Sequence, residues 1–186
     1  MKLMISQPTF CPWLGYFDMI DQSDLYVILD DVDFAYQSWQ HRNNFITDKG
    51  LETFTVSISK GKKKQLISGV EIADKNFFIK KFSKFLFFNY KNTKFFDKYY
   101  PKIVNIITKK ANSNLLIDLN VQIITSLIQI LKIKVDIKRS SELKINEKKI
   151  KKVFEICSKL NAKEYLSALG SQSYLEKDKK IFTEKK

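Results

Sequence analysis

With 186 residues, 44% of them hydrophobic and 13% aromatic, the chain can bury one sizeable core and is too apolar for a disordered segment. Cys11 and Cys157 are too few for a disulfide framework or a zinc site, no apolar run is long enough to span a bilayer, and the N-terminus lacks a signal-peptide pattern, so a cytoplasmic protein is expected. The net charge of +13 divides into −5 over residues 1–58 and +18 over 59–186; it comes mostly from lysines scattered over helices, as on a solvated face, with an anionic substrate, RNA or anionic lipid left open as partners.

The chain opens on an apolar run, Leu3-Met4-Ile5, followed by a polar loop holding Pro8 and Pro12 and a helical stretch through Phe17 and Ile20. A second apolar run, Leu25 to Leu29, ends in Asp30-Asp31-Val32-Asp33. Strand, loop, helix and strand make a βαβ unit, whose ligand crevice lies at the carboxyl ends of its strands. Gln7, Asp30, Asp31 and Asp33 are therefore expected on one sheet edge. Alternation in an extended segment would set Asp31 and Asp33 on one face and turn Asp30 away.

Residues 34–44 read as a polar-aromatic loop, and Phe45–Thr47 with Leu51–Ile58 as a hairpin turning at Asp48-Lys49-Gly50. Ser59–Lys64 reads as a basic loop and Leu66–Ile72 as a short strand. Helices are expected over Asn76–Tyr90, over Lys94–Lys110 with a kink or break at Pro101, over Asn114–Leu131 and over Glu147–Lys159. Val135–Ile137 and Glu164–Ser167 read as strands, and a terminal helix follows Gly170–Leu175. The expected class is α/β: one domain, 1–186, with a mainly parallel, Rossmann-like sheet, a β-hairpin insertion and Phe/Lys-rich helices. Its motifs lie in 1–58 and its basic helices in 59–186.

The spaced motifs Gln7-Pro8…Pro12-Trp13-Leu14-Gly15-Tyr16-Phe17, Asp30-Asp31-Val32 and Trp39-Gln40-His41-Arg42-Asn43 resemble the WbqC-like protein family, and Tyr165-Leu166-Ser167…Gly170…Tyr174-Leu175 is similar to its second signature. Asp33 stands where members often carry Gln, His41 where they often carry Asn, and Ser171 where they often carry Gly or Ala. The chain stops soon after Phe182, so a segment that helps to close the site is expected to be missing. The resemblance implies a bacterial role in O-antigen or related surface-polysaccharide synthesis. It implies transfer of an acyl or aminoacyl group to an amino sugar, one carried on a nucleotide.

A second likeness, to the first βαβ unit of pantothenate synthetases and other nucleotidylyltransferase-like enzymes, implies that fold. Trp13 and Tyr16 stand at the two histidine positions of their His-x-Gly-His signature, so adenylating chemistry is not carried over.

On this basis Asp30, Asp31 and Asp33 are the candidate catalytic residues, to take a proton from an attacking amine or to orient sugar hydroxyls. Equally, acids at a strand end cap the next turn. Gln7, Trp13, Tyr16, Trp39, Arg42 and Asn43 are the candidate substrate-binding residues. Indoles stack on a sugar or base, Arg42 and the Lys60–Lys64 loop pair a diphosphate, and Asn43 fixes an amide or hydroxyl. The only histidine, His41, reads as structural, and Cys11 as a packed thiol rather than an acyl-carrying nucleophile. No metal site is read and no cofactor is assigned. The donor stays open between a thioester, an in-situ adenylate and an aminoacyl-tRNA. A non-catalytic accessory protein that binds a sugar nucleotide is the rival reading, and an RNA-binding protein a third.

Overall fold

Four of the chain's strands form a parallel sheet in the order β5-β2-β1-β6, seen in a computed structural model that describes residues 1–61, 65–109 and 113–168. The strands are β1 (Lys2–Ser6), β2 (Leu25–Ile28), β5 (Asp136–Arg139) and β6 (Glu164–Leu166), with helix α1 (Leu14–Asp21) between β1 and β2. A hairpin of β3 (Arg42–Thr47) and β4 (Gly50–Thr55) is antiparallel. Helices α2 (Lys75–Tyr90), α3 (Phe96–Thr108), α4 (Leu116–Leu131) and α5 (Lys149–Lys159) complete the described elements. The chain is thus an α/β protein with a parallel sheet and a hairpin. Among the described residues no helix is long and apolar enough to cross a membrane.

These elements group into two compact units. The first holds Met1–Gln7, Trp13–Val32 and 130–168; the second holds Pro8–Pro12 and Asp33–Gln129.

In the first unit, β1 and β2 are buried on both sides, as parallel strands are when both faces are covered. One face carries Leu3, Ile5, Leu25 and Val27 against Ile150, Val153 and Ile156 of α5. The other carries Tyr26, whose ring meets Tyr16 of α1 edge-on at 6.0 Å. The register pairs Ile5 with Val27, Ser6 with Ile28, and Ile28 with Arg139. The carboxyl ends of β1, β2 and β5 therefore come abreast.

In the second unit, Phe10, Phe45, Phe54, Phe78, Phe82 and Phe85 build an aromatic core, with ring centroids 4.8–6.5 Å apart. Phe78, Phe82 and Leu86 recur every fourth residue along α2, the spacing that lines one helix face. Asp74 caps this helix by accepting the Phe77 amide at 2.8 Å, which satisfies one of its free N-terminal donors.

Three local expectations are corrected. Arg42, Asn43 and Asn44 belong to a strand, not a loop, because they pair with Thr55, Phe54 and Thr53, and the Thr53 hydroxyl donates to Asn44 Oδ1 at 2.7 Å. Leu66–Ile72 is not a continuous strand. Leu66 bridges Asp33, Ile67–Gly69 forms a 3₁₀ turn, and the buried Ile67 and Val70 sit three residues apart, the period of that turn. The third concerns Pro101, which does not break α3. Its missing N–H costs one hydrogen bond, and the stacked Phe96–Tyr100 pair, packed on Phe87, ties the turn preceding it to α2. The expected terminal helix after Gly170 lies outside the described residues.

Phe82 is buried against the five other rings of this core. Phe82→Ala should cost about 3–5 kcal/mol through lost transfer energy and a residual cavity. Urea denaturation checks this as a lowered midpoint.

Candidate functional site

The carboxyl edge of the parallel sheet carries a four-charge cluster. Because Ile28 is paired with Arg139, Asp30 and Asp31 at the end of β2 meet Ser140 and Ser141 at the end of β5. The buried Asp30 carboxylate accepts the Ser141 N–H at Oδ1 and the Ser141 hydroxyl at Oδ2, both at 2.9 Å. The Arg139 guanidinium lies 3.7 Å from Oδ2. The Asp30 N–H donates to Ser140 Oγ at 3.1 Å, and the Ser140 hydroxyl in turn lies within donating distance of both Asp30 Oδ1 and Asp31 Oδ1.

Asp31 completes the cluster through Lys152 of α5, whose ammonium donates to Asp31 Oδ2 at 2.7 Å and to the Ile145 carbonyl at 3.2 Å. The Lys152 side chain is 6% exposed and that of Asp31 22%. Two carboxylates are thus balanced by one guanidinium and one ammonium, and Asp31 alone of the two acids keeps a surface toward solvent.

Alternation does not hold here. β2 ends at Ile28 and residues 31–32 form a bend. Instead of pointing opposite ways, Asp30 and Asp31 reach the same serine hydroxyl. Asp33 belongs to the second unit, is exposed, and has no side-chain hydrogen bond or ion pair among the described residues.

Gln7 follows β1 in the first unit, and its carbonyl accepts the Tyr16 hydroxyl at 3.0 Å. With that proton committed, Tyr26 donates its own to Tyr16 Oη. Tyr16 is buried, so its ring packs in the core of the unit rather than offering a stacking face. Burial pushes its phenol up to about 12, against a smaller downward pull from hydrogen bonds with Tyr26 and Ser6. Tyr26 is raised well above the ordinary range by burial and by the neighbouring Tyr16.

Trp13, by contrast, is 64% exposed at the start of α1. Its six-membered ring folds over Gly15, where a Cβ would occupy the same space. The Trp-Leu-Gly-Tyr motif therefore has a steric basis: glycine at 15 lets the indole lie back along the helix start.

The remaining candidates belong to the second unit. Trp39 is half exposed, and the Arg42 guanidinium stands 6.0 Å from its ring centroid, a cation–π arrangement. Asn43 is spent on the backbone. Its Nδ2 donates to the Phe10 carbonyl at 3.0 Å and the Cys11 carbonyl at 2.6 Å, and its Oδ1 accepts the Asn44 N–H. His41 is buried; its Nε2 accepts the Gln37 N–H at 3.2 Å, and Nδ1 faces the Val56 carbonyl at 3.2 Å, which fits a proton on Nδ1. Burial pushes the Cys11 thiol far up, and Cys157 to about 11, so neither is poised as a nucleophile. Beneath the prolyl loop lies an apolar cavity of ≈ 230 Å³ lined by Cys11, Phe45, Phe82, Ile103, Ile107 and Leu127, among others. Among the described residues no group of three His, Cys, Asp or Glu stands close enough to hold a metal ion.

Two residues with structural weight were missed in the sequence. Asn120 of α4, fully buried, donates to the Pro8 carbonyl at 3.1 Å and the Gln40 carbonyl at 2.7 Å. It sits among Leu116, Ile117, Leu119, Ile123 and Ile124, a polar residue on an apolar stripe. Lys152 carries the same signal, since it shares a helical face with Ile156 and Leu160.

Fold and edge together define an α/β protein with a charged, hydrogen-bonded rim at the carboxyl ends of a parallel sheet. The WbqC-like protein family model matches residues 7–186, nearly the whole chain, and the protein belongs to that family. It is similar to the uncharacterized protein Rv1507c of Mycobacterium tuberculosis (strain ATCC 25618 / H37Rv), 29% identical over 189 residues that cover 98% of this chain and 78% of the relative. No solved structure matches it.

Lys152→Met should destabilise the fold by about 3 kcal/mol by leaving the Asp31 charge without its partner. Asp31→Asn combined with Lys152→Met should recover most of that loss in the same urea titration. Tyr16 yields an alkaline signature. Its unfolded pKa is about 10 and its folded value about 12, so above pH 10 the unfolded chain binds fewer protons than the native one. Stability should therefore fall between pH 10 and 12 by up to about 1.4 kcal/mol per pH unit from this residue. Tyr16→Phe should flatten the slope, with phenolate absorbance at 295 nm as the monitor.

Proposed function

We propose that the protein acts in the assembly of bacterial surface polysaccharide by transferring an acyl group to the amine of a nucleotide-linked amino sugar: the amide C–N bond forms as the donor's C–S thioester bond breaks, and the thiol leaves with the amine's proton. The observation that carries the reading is the partly exposed Asp31 carboxylate at the sheet edge, held in place by Lys152 and Ser140. Ligands of open α/β sheets bind at such carboxyl ends, and a fixed carboxylate orients an amine or a sugar hydroxyl at little reorganisation cost. The polysaccharide context is the one that the resemblance to the WbqC-like family implies.

Held by the Lys152 ammonium and the Ser140 hydroxyl, Asp31 serves to hold and orient the sugar amine. Trp13 supplies an exposed apolar face for sugar or base.

A second reading, a sugar-nucleotide-binding accessory protein without catalysis, is favoured by one observation: both Asp30 oxygens and the Lys152 ammonium are already spent on the fold.

Mass spectrometry separates the two. Incubated with nucleotide-linked amino sugars and a panel of acyl thioesters, the wild-type protein should produce a sugar heavier by one acyl group. Asp31→Asn should lower the rate at least about tenfold, the size expected for a lost positioning contact. Calorimetric binding without any mass gain would leave the accessory reading. Neither binding nor mass gain would end both.

A further inference from the structure

The second unit carries an apolar corner that none of its own described residues covers. Along α2 the positions Phe78, Phe82 and Leu86 turn inward and Phe87 packs on Phe96 and Tyr100, yet Phe88 faces outward with 65% of its surface exposed. Phe95, just before α3, is also exposed. The hairpin contributes Ile46 and Leu51, directly opposed across β3 and β4 and exposed by 77% and 69%. Tyr90, at the end of α2, donates its hydroxyl to the Ile46 carbonyl at 2.8 Å and so fixes the hairpin beside the α2 terminus.

Lysines interleave with these rings. The Lys91 ammonium lies 5.8 Å from the centroid of Phe87, Lys94 5.3 Å from Phe95, and Lys98 5.3 Å from Tyr99. Residues 75–109 contain nine lysines against a single acid, Asp97.

We propose that this corner docks on an anionic lipid bilayer. The apolar tips of Phe88, Phe95, Ile46 and Leu51 enter the headgroup region while Lys91, Lys94 and Lys98 meet lipid phosphates. The combination of apolar tips and a lysine collar is that of an interfacial amphipathic surface, which sinks about 5–10 Å into the headgroup boundary. Lysine stems reach along apolar surface and keep their charge at the phosphate level. Two features turn the surface away from other occupants. Ile46 and Leu51 present no flat face for a base, which a nucleic-acid groove would use. A second copy of the same surface would be repelled by like charge. The inference is independent of the sugar site and adds a location for the protein to act.

Vesicle flotation at moderate salt tests it, using vesicles of phosphatidylcholine alone and with 30% phosphatidylglycerol. The full-length protein should float with the phosphatidylglycerol vesicles and stay behind with phosphatidylcholine alone. The double change Phe88→Ser/Phe95→Ser, which leaves the charge unaltered, should abolish flotation. Lys91→Glu and Lys94→Glu should each weaken partitioning about fivefold or more. In a variant with both native tryptophans replaced by Phe, Phe88→Trp should show a blue-shifted emission on phosphatidylglycerol vesicles.

No flotation of the wild type overturns the proposal. So does flotation unchanged by Phe88→Ser/Phe95→Ser, which is adsorption by charge alone, or an unshifted emission from Phe88→Trp on bound protein. Salt-sensitive RNA binding that Phe88→Ser/Phe95→Ser weakens, without vesicle binding, would assign the surface to nucleic acid instead.

Discussion

The second unit is organised around one buried ring, Phe10, fully withdrawn from solvent among Phe45, Phe54, Phe78 and Phe82. It sits in a five-residue segment, Pro8–Pro12, that leaves the first unit after Gln7 and returns to it at Trp13. A loop with two prolines has few donors of its own, so its carbonyls need partners from elsewhere. Asn43 takes those of Phe10 and Cys11, Asn120 takes that of Pro8, and the Phe10 N–H reaches the Trp39 carbonyl at 2.9 Å. Cys11 adopts a positive φ of 46°, a conformation non-glycine residues enter only when their surroundings demand it. Apolar burial drives the ring inward, and the amide hydrogen bonds remove the penalty of burying the backbone with it.

The first unit meets the same difficulty with charge. Asp30 and Asp31 adjoin a buried strand end, where an unpaired carboxylate would be costly. Ser140, Ser141, Arg139 and Lys152 satisfy them almost completely. Such a network adds little net stability, because desolvation offsets most of the Coulomb gain, but it allows only one alignment of β2, β5 and α5. The acids thus hold two strand ends and a helix together, and only the exposed part of Asp31 remains free to meet a ligand.

Much of the fold was legible because it rests on period and punctuation. The continuous apolar runs of β1 and β2, the i, i+4 stripe of α2 and the Gly50 turn are local patterns. The candidate site was legible only as a set of residues. Trp13, Trp39 and Arg42 are exposed or half-buried, as a binding role needs, whereas Tyr16, Asn43 and Asp30 are taken up by the structure itself. Nothing local in Asn-Asn-Phe distinguishes a ligand-binding amide from one that clamps a loop 32 residues away in the chain.

Taken alone, the sequence determined the succession of parallel-sheet strands and main helices, the α/β class and the family, since each depends on short-range periodicity or on motifs read in order. It also determined that the basic charge resides on lysine-rich helices. Tertiary structure decided which polar side chains are spent. The Lys152–Asp31 pair spans 121 positions and the Asn120 bond to Pro8 spans 112. Hydrogen-bond saturation is a property of the neighbours that a residue acquires on folding, and no local pattern encodes who those neighbours are.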